Sequence, residues 1–234
     1  MNNQTLLEIQ LDRLQQVNRN IELRTDDQFI LPVKSKRADL VFKVYADLAE
    51  RDRYRKAINF LANDLLGGNQ LGKRGQELLR AKKPMAKMLP DALLGTVARS
   101  VEFTTVTLQI DLALAKYLAE NDPAGSQLTD ATYVIAVRAA VARELLETQS
   151  RLVVKIGEEI ESVVHRPFVA SALKMCRTPA HMMGLGDLQD FLERGFDAFR
   201  SMRGADEFIA VFSQRESRII EDIYTAGSNP FPTA

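Results

Sequence analysis

The stretch DALLGTVARSVEFTTVTLQIDLALAKYLAEN, residues 91–121, determines what kind of fold this sequence forms. In a helix built from it, Val101 and Leu108 belong to one side, while Phe103 and Ile110 belong to another. A helix that is apolar on most sides is normally buried in the middle of a bundle. The stretch therefore predicts a long central helix in an all-α protein.

A second long helix is predicted over residues 130–164, where apolar residues recur at three- and four-residue spacing. The loop NDPAGS, residues 121–126, separates the two helices and is rich in turn-forming residues. A short loop between long helices favours an antiparallel hairpin. We therefore expect a single helical bundle over residues 1–234, with seven or eight helices and two long central antiparallel helices.

Prolines and glycines predict where the other helices end. Residues 26–32 are predicted to be a connection, because Pro32 disfavours helix in the residue before it. Residues 165–167 are predicted to break the second long helix, and a short helix over residues 168–177 should end before Pro179. Asp187 is expected to cap the next helix, and a polar tail is expected from about residue 227.

Composition limits the compartment and the class of protein. The chain has 234 residues, with 31 basic and 31 acidic side chains, so no net charge attracts it to nucleic acid or to an anionic membrane. The one cysteine, Cys176, cannot form an internal disulfide, which fits a reducing cytoplasm. Residues 1–20 lack the apolar core of a signal peptide, and no apolar run is long enough to span a membrane. A cytoplasmic location is predicted.

Two stretches carry a resemblance to a known family. Residues 53–67, RYRKAINFLANDLLG, resemble the segment that names the bacterial FFLEELY-motif proteins, with Phe60, Asp64 and Leu65 at motif positions. Residues 184–199, GLGDLQDFLERGFDAF, look like the C-terminal half of that family. The resemblance implies an all-helical fold. The family has no established activity, so the resemblance implies no catalytic residue.

The histidines and cysteine offer little for a metal site. A helical di-iron site needs Glu-x-x-His pairs, but Glu161 is four residues before His165, not three. No nucleophile elbow and no phosphate-binding glycine loop is present in the sequence. We therefore predict no metal, no required cofactor and no recognised catalytic group.

One cluster of soft ligands still offers a cofactor hypothesis. Met175, Cys176 and His181, with Met182 and Met183 beside them, could bind Cu(I) or supply an axial ligand to haem. The alternative, which we favour, is structural, because Met175 and Met182 fit positions where methionine fills gaps in a core.

A basic segment is the second candidate. Only Glu77 balances its six cations, which are Lys73, Arg74, Arg80, Lys82, Lys83 and Lys87. Such a segment could contact an anionic partner, although a solvated charged face is the commoner meaning. Nucleic acid is disfavoured because no aromatic residue offers stacking to a base.

Polar residues on the central helix are the third candidate. Glu102, Gln109 and Asp111 fall on the helix expected to be most buried, where an unpaired carboxylate is costly. They are expected either to form structural ion pairs or to line a ligand cavity. The candidate ion-pair partners on the neighbouring helix are Arg138, Arg143 and Arg151.

Gly195 falls within an apolar helical stripe together with Phe199 and Met202, and close to Phe191. A glycine inside a helix costs about 1 kcal/mol relative to alanine, so a neighbouring helix is expected to approach closely there. The alternative is that Gly195 leaves room for an apolar ligand.

The sequence as a whole predicts a non-catalytic binding or interaction protein. Its partner would be a protein or another anionic molecule at the basic segment, and self-association stays open. The competing hypothesis is a pocket between helices for haem or a small apolar ligand, in which catalysis stays open.

Overall fold

A central helix organises the fold in the computed structural model, which describes residues 2–22, 27–67, 76–81, 91–122, 128–226 and 229–231. This helix, α6, spans Asp91–Asn121, and helix α1, Asn3–Glu22, packs along it. Val101 and Leu108 of α6 are buried against α1, while Phe103 and Ile110 are buried in a second, larger cluster. The prediction of a helix that is buried on more than one side is confirmed.

The remaining helices surround α6. Their bounds are α2 Asp27–Val44, α3 Ala46–Ala49, α4 Asp52–Phe60, α5 residues 76–81, α7 Asp130–Ala140, α8 Arg143–Val164, α9 Pro167–Met182, α10 Gly186–Met202 and α11 Asp206–Glu221. A π-helical turn, Leu61–Leu66, continues α4, and a second, Asp222–Ala226, continues α11. Within the described ranges the chain is all-helical, with eleven helices where seven or eight were expected.

Aromatic pairs hold α11 in the larger cluster. Tyr45 stacks on Phe212 with ring centroids 6.0 Å apart, and Tyr54 stacks on Phe208 at 6.1 Å. These four rings are buried, so the C-terminal helix closes over the segment between α2 and α4.

The predicted single helix over residues 130–164 is wrong, because the chain is extended at Val141 and Ala142. At the break, α7 and the residues after it contact the π-helical turn that follows α11. Tyr224 donates a hydrogen bond from its hydroxyl to the Val141 carbonyl at 2.7 Å, and Arg138 Nε donates to the Ile223 carbonyl at 2.6 Å. These bonds from distant parts of the chain stabilise a break at a site of high local helix propensity.

Pro32 and Pro179 lie inside helices, so the predictions of a connection over residues 26–32 and of a helix that ends before Pro179 are wrong. Helix α2 begins at Asp27 and includes Pro32, because Phe29 and Val33 on either side are buried. Helix α9 runs past Pro179 to Met182, where Ala180 packs against neighbouring apolar side chains. In each helix, apolar burial offsets the backbone hydrogen bond that a proline cannot make.

Three other helix and chain ends can be compared with the predictions. Helix α8 ends at Val164, as predicted, and α9 begins at Pro167, one residue before the predicted start at Phe168. Helix α10 ends before Gly204, whose φ of 123° is a left-handed conformation that favours glycine. The C-terminal tail is not wholly polar, because Phe231 is buried. Its ring centroid lies 6.3 Å from that of Tyr133. No helix within the described ranges is long and apolar enough to cross a membrane.

Candidate functional sites

The soft-ligand cluster lies on an exposed apolar surface of α9. Phe168, Met175 and Met182 are spaced seven residues apart and are 64%, 78% and 84% exposed. The interpretation of Met175 and Met182 as core residues is therefore wrong. Met183, which follows α9, and Leu192 on α10 are also exposed, so five of the nine large exposed hydrophobic residues in the described part of the chain fall between residues 168 and 192. We call these five residues the α9 face.

The candidate cofactor ligands do not enclose a site. Cys176 and His181 are exposed, and His181 Nε2 lies 3.2 Å from Asp190 Oδ1. The described residues include no group of three histidine, cysteine or acidic side chains placed to hold a metal. An axial ligand of an enclosed haem would point into a pocket, whereas Met175 points to solvent.

Most of the exposed residues on α9 beside the α9 face are uncharged or basic, whereas Asp190 and Glu193 on α10 are acidic and pair with His181 and Arg177. Ser171, Thr178 and Pro179 are exposed on α9 and carry no charge. Lys174 on the helix and Arg166 before it are exposed cations. Arg177 is different, because its Nε donates a 3.0 Å hydrogen bond to Glu193 on α10 and a second nitrogen also contacts that carboxylate.

The end of the basic segment reaches the turn between α9 and α10. Arg80 Nη2 donates a 3.1 Å hydrogen bond to the Gly184 carbonyl, and Ala81 packs against Ala180 and Leu185. Arg80 is the one member of the predicted patch within the described residues. The others, Lys73, Arg74, Lys82, Lys83 and Lys87, lie outside those residues.

A buried carboxylate fixes α5 to α10. Glu77 is 2% exposed, and its Oε2 accepts a 2.7 Å hydrogen bond from the backbone N–H of Leu188. Asp187 was predicted to cap α10, but the N-cap residue is Leu185, which makes no side-chain capping bond. The sequence did not reveal Glu77 as the acceptor because it comes from a distant segment.

The polar residues on α6 have different surroundings. Asp111 is 1% exposed, whereas Glu102 is half-buried and Gln109 is exposed. The expected structural ion pair exists for Asp111, but its partner is Arg37 on α2, with Nη2 2.7 Å from Oδ1. Arg37 Nη1 also donates to the Leu66 carbonyl at 3.1 Å.

The predicted partners of Asp111 are engaged elsewhere. Arg138 bonds the Ile223 carbonyl, Arg143 pairs with Glu147 and Glu221, and Arg151 bonds Thr148. A sequence signal for Arg37 was present, because it follows Val33 by four residues and precedes Val41 by four. A charged residue inside a buried helical stripe needs a buried partner.

The surroundings of this ion pair shift both pKa values. Burial alone would lower the pKa of Arg37, but the Asp111 carboxylate raises it above its usual range, so the guanidinium stays charged. Burial raises the pKa of Asp111, against the opposing effects of Arg37 and Lys34.

A cavity of about 80 Å³ lies beside the ion pair, between α2, α6, α7, α8 and α11. Its polar lining consists of Arg37, Tyr45, Tyr133, Gln149 and Glu216, and the other lining residues are apolar. Tyr45 donates a 2.8 Å hydrogen bond to Glu216 Oε1, and Gln149 Nε2 donates one of 2.8 Å to Thr107. Burial raises the pKa of Glu216 above its usual value.

The space beside Gly195 is filled by an aromatic ring. A Cβ atom at this buried glycine would lie 2.9 Å from Cζ of Phe60 on α4. Phe60 also packs on Phe191 with ring centroids 5.1 Å apart, Met202 is fully buried, and Phe199 is half-buried. The ring of Phe60 thus takes up the space that the alternative hypothesis gave to an apolar ligand.

Comparison with known proteins gives a family but no activity. No curated protein and no solved structure matches this chain. A family model described as a domain of unknown function, DUF8198, matches residues 16–230, which include the α9 face and the residues around the cavity. The resemblance to FFLEELY-motif proteins stays a prediction. The chain belongs to the DUF8198 family of domains of unknown function.

Proposed function

We propose that this protein is a non-catalytic interaction module of the cytoplasm that binds an acidic amphipathic helix of a partner protein on the α9 face. The observation that carries the proposal is the exposure of Phe168, Met175 and Met182 at a spacing of seven residues. Residues at this spacing lie on one side of a helix, which is the arrangement that contacts a second helix.

The composition of the α9 face favours a protein helix. Contiguous exposed apolar surface is uncommon on monomers and marks sites of interaction. Three of its five side chains are methionines, and methionine is flexible enough to pack against apolar side chains of different shapes. The apolar side of an amphipathic helix, with anchors every three or four residues, is complementary to such a surface.

The charges at the edges favour an acidic partner. Arg166 and Lys174 are exposed cations beside Phe168 and Met175 of the α9 face. Arg80 is near the other end of α9, where it donates a hydrogen bond to the Gly184 carbonyl. Acidic side chains at the rim of the partner would steer its association and oppose the docking of a basic helix.

A second copy of this chain fits less well. The stripe is centred on Met175, so a two-fold contact would place α9 antiparallel to its counterpart. That arrangement would bring the two copies of Lys174 together, and Arg166 of one copy toward the Arg80 end of the other. Like charges that face each other across an interface are unfavourable.

The test uses the full chain and two synthetic amphipathic peptides of the same length as α9. Both peptides share a leucine face, and one has glutamates at its edges where the other has lysines. We expect the acidic peptide to bind with a Kd in the micromolar range, and the Met175→Glu/Met182→Glu variant to weaken binding by about tenfold or more. Isothermal titration calorimetry measures both values.

Ile135→Glu is the matched control, because Ile135 is 55% exposed on α7, away from the α9 face. This variant should bind like the wild type, and circular dichroism should show that all variants are folded. Equal affinity for the two peptides, or no effect of the double variant, would refute the proposal. So would binding to phosphatidylglycerol vesicles in place of the peptide, or a wild-type dimer that the double variant dissociates.

A further inference from the structure

The exposed methionines of the described residues are concentrated on the α9 face. Four methionines lie in the part of the chain that the structure describes, and three of them, Met175, Met182 and Met183, are 78%, 84% and 56% exposed. The fourth, Met202, is fully buried at the end of α10. Exposure controls how readily an oxidant reaches a sulfur atom. The surface proposed to bind a partner therefore also carries thioethers that are open to oxidation.

Oxidation of methionine by hydrogen peroxide is a balanced two-electron step. A lone pair on the sulfur attacks one peroxide oxygen, the O–O bond breaks and an S–O bond forms, and the second oxygen leaves as water with both protons. The sulfur loses the two electrons that reduce the peroxide. Reductases reverse the step with a pair of thiols, which become a disulfide while the sulfoxide oxygen leaves as water.

A sulfoxide on the α9 face opposes the docking of an apolar helix. Met175 and Met182 are seven residues apart, so both lie on the side of α9 that contacts the partner. The apolar side of an amphipathic helix offers no hydrogen-bond donor to the sulfoxide oxygen, which must lose water when it is buried there. Burial of a polar group without a hydrogen bond is unfavourable, so each sulfoxide weakens the contact.

The contacts that hold α9 on α10 do not depend on these sulfur atoms. Gln189 Nε2 donates a 2.8 Å hydrogen bond to the Leu173 carbonyl, and Arg177 pairs with Glu193. The exposed side chain of Met175 contributes nothing to the buried core. Oxidation can therefore change the binding surface while the helices stay in place.

We propose that Met175 and Met182 are sites of reversible oxidation, and that their conversion to sulfoxides by hydrogen peroxide releases the acidic helix from the α9 face. This inference rests on the binding function proposed above. Met183 is exposed but falls outside the seven-residue spacing, so its oxidation has the smaller effect.

The first measurement follows oxidation at each methionine. The full chain carries Cys176→Ser, which removes the one exposed thiol, and peptide mass spectrometry measures the sulfoxides formed by hydrogen peroxide. We expect Met175 and Met182 to react about tenfold faster than Met202, because Met202 is buried. Saturating acidic peptide should slow both reactions, whereas the basic peptide should not.

The second measurement is the affinity for the acidic peptide before and after oxidation, by isothermal titration calorimetry. We expect oxidation to weaken binding by about tenfold or more. Treatment with the two methionine sulfoxide reductases, one for each sulfoxide epimer, should restore the affinity. Circular dichroism should show the same helix content in both forms.

The matched control is Met175→Leu/Met182→Leu/Met183→Leu in the same Cys176→Ser background. Leucine is close to methionine in volume and has no sulfur, so this variant should bind like the unoxidised protein. Its affinity should not change after treatment with peroxide.

The outcomes distinguish a failure of this inference from a failure of the proposed function. If the unoxidised protein does not bind the acidic peptide, both fail. If it binds, and the oxidised protein binds equally well, only the oxidation inference is overturned. A loss of binding by the leucine variant after peroxide would also overturn it, because another residue would then be responsible. So would a loss of helix content in parallel with the loss of binding, since oxidation would then unfold the chain.

Discussion

Glu77 accepts a hydrogen bond from the backbone N–H of Leu188 across 2.7 Å, although the two residues are 111 positions apart in the sequence. The bond joins α5 to the first turn of α10, where backbone N–H groups lack partners within the helix. A carboxylate is well suited to this position, because the helix dipole favours negative charge at the N-terminus. The segment that leads into the basic residues is thereby anchored beside the α9 face.

We predict that Glu77→Ala lowers the free energy of unfolding by about 1–2 kcal/mol, because it leaves a partly buried N–H without its acceptor. Urea denaturation measures the change. The matched control is Glu120→Ala, on the exposed end of α6, which should change stability by less than about 0.5 kcal/mol. Equal effects of the two substitutions would show that Glu77 does not cap α10.

The pair of Asp111 and Arg37 gives a second prediction. Asp111→Ala should destabilise the fold by about 3–5 kcal/mol, because it leaves the Arg37 charge buried without its counter-ion. The double variant Arg37→Met/Asp111→Leu should recover most of that loss, since apolar side chains of similar volume need no charge partner. Urea denaturation of the single and double variants completes the comparison.

An exposed pair supplies the control for this prediction. Arg143 pairs with Glu147 and Glu221 near the surface, so Arg143→Ala should cost less than about 1 kcal/mol. If Arg37→Met/Asp111→Leu is as unstable as Asp111→Ala, the loss of stability comes from disturbed packing around the pair and not from the unpaired charge of Arg37.

The extent of sequence-based prediction can be judged from these same residues. The pattern of Val101, Leu108, Phe103 and Ile110 predicted the burial of α6 on more than one side, because helical periodicity depends only on the local sequence. The burial of Asp111 agrees with that prediction, whereas Glu102 on the same helix is half-buried and Gln109 is exposed. The pairing of Asp111 with Arg37 was not predicted, because sequence spacing does not determine which helices become neighbours.

Other differences have the same physical origin. At the break, the Val141 carbonyl accepts a hydrogen bond from Tyr224, a residue that is 83 positions away and that no local propensity reveals. The spacing of Phe168, Met175 and Met182 predicts an apolar side of a helix, but that side can face a core or remain exposed. In this fold it is exposed, and the hypothesis of a partner at the α9 face follows from that exposure.

The third prediction concerns the pH dependence of stability and Glu216. Arg37 on α2 and Tyr45, which follows the C-terminal end of α2, both face this carboxyl group. Burial raises the pKa of Glu216 above its ordinary value of 4.5, so the folded protein holds this proton more strongly than the unfolded chain does. Its contribution to stability is therefore present below pH 4.5 and is lost as pH rises through the folded-state pKa. Glu216→Gln should remove this decline, as measured by urea denaturation from pH 4.5 upward.

Glu193 is the control of opposite sign. Hydrogen bonds from Arg177 and Gln189 lower the pKa of Glu193 from 4.5 to about 2. Its contribution is present above pH 4.5 and is lost as pH falls toward about 2. Glu193→Gln should therefore alter the acid side of the stability profile and leave the decline due to Glu216 unchanged. Identical profiles for wild type and Glu216→Gln above pH 4.5 would contradict the assignment.

The last prediction concerns Gly195 and the ring of Phe60. Alanine is favoured over glycine inside a helix by about 1 kcal/mol, but its Cβ at position 195 would lie 2.9 Å from Phe60 Cζ. This distance is too short for two carbon atoms, so the ring must shift within a packed interface. We expect Gly195→Ala to be destabilising by about 1 kcal/mol, and Gly195→Leu by a few kcal/mol, through overpacking.

Two comparisons separate the effect of the contact with Phe60 from the effect of the higher helix propensity of alanine. Gly157 is buried on α8, and a Cβ there would meet Ile209 at an ordinary 3.4 Å, so Gly157→Ala should raise the thermal stability. In a Phe60→Leu background the obstacle at position 195 is smaller, and Gly195→Ala should become neutral or stabilising. If Gly195→Ala stabilises the wild type as much as Gly157→Ala does, Phe60 does not restrict position 195. The close approach of α4 to α10 would then have no energetic consequence, and the space above Gly195 would be open to a ligand.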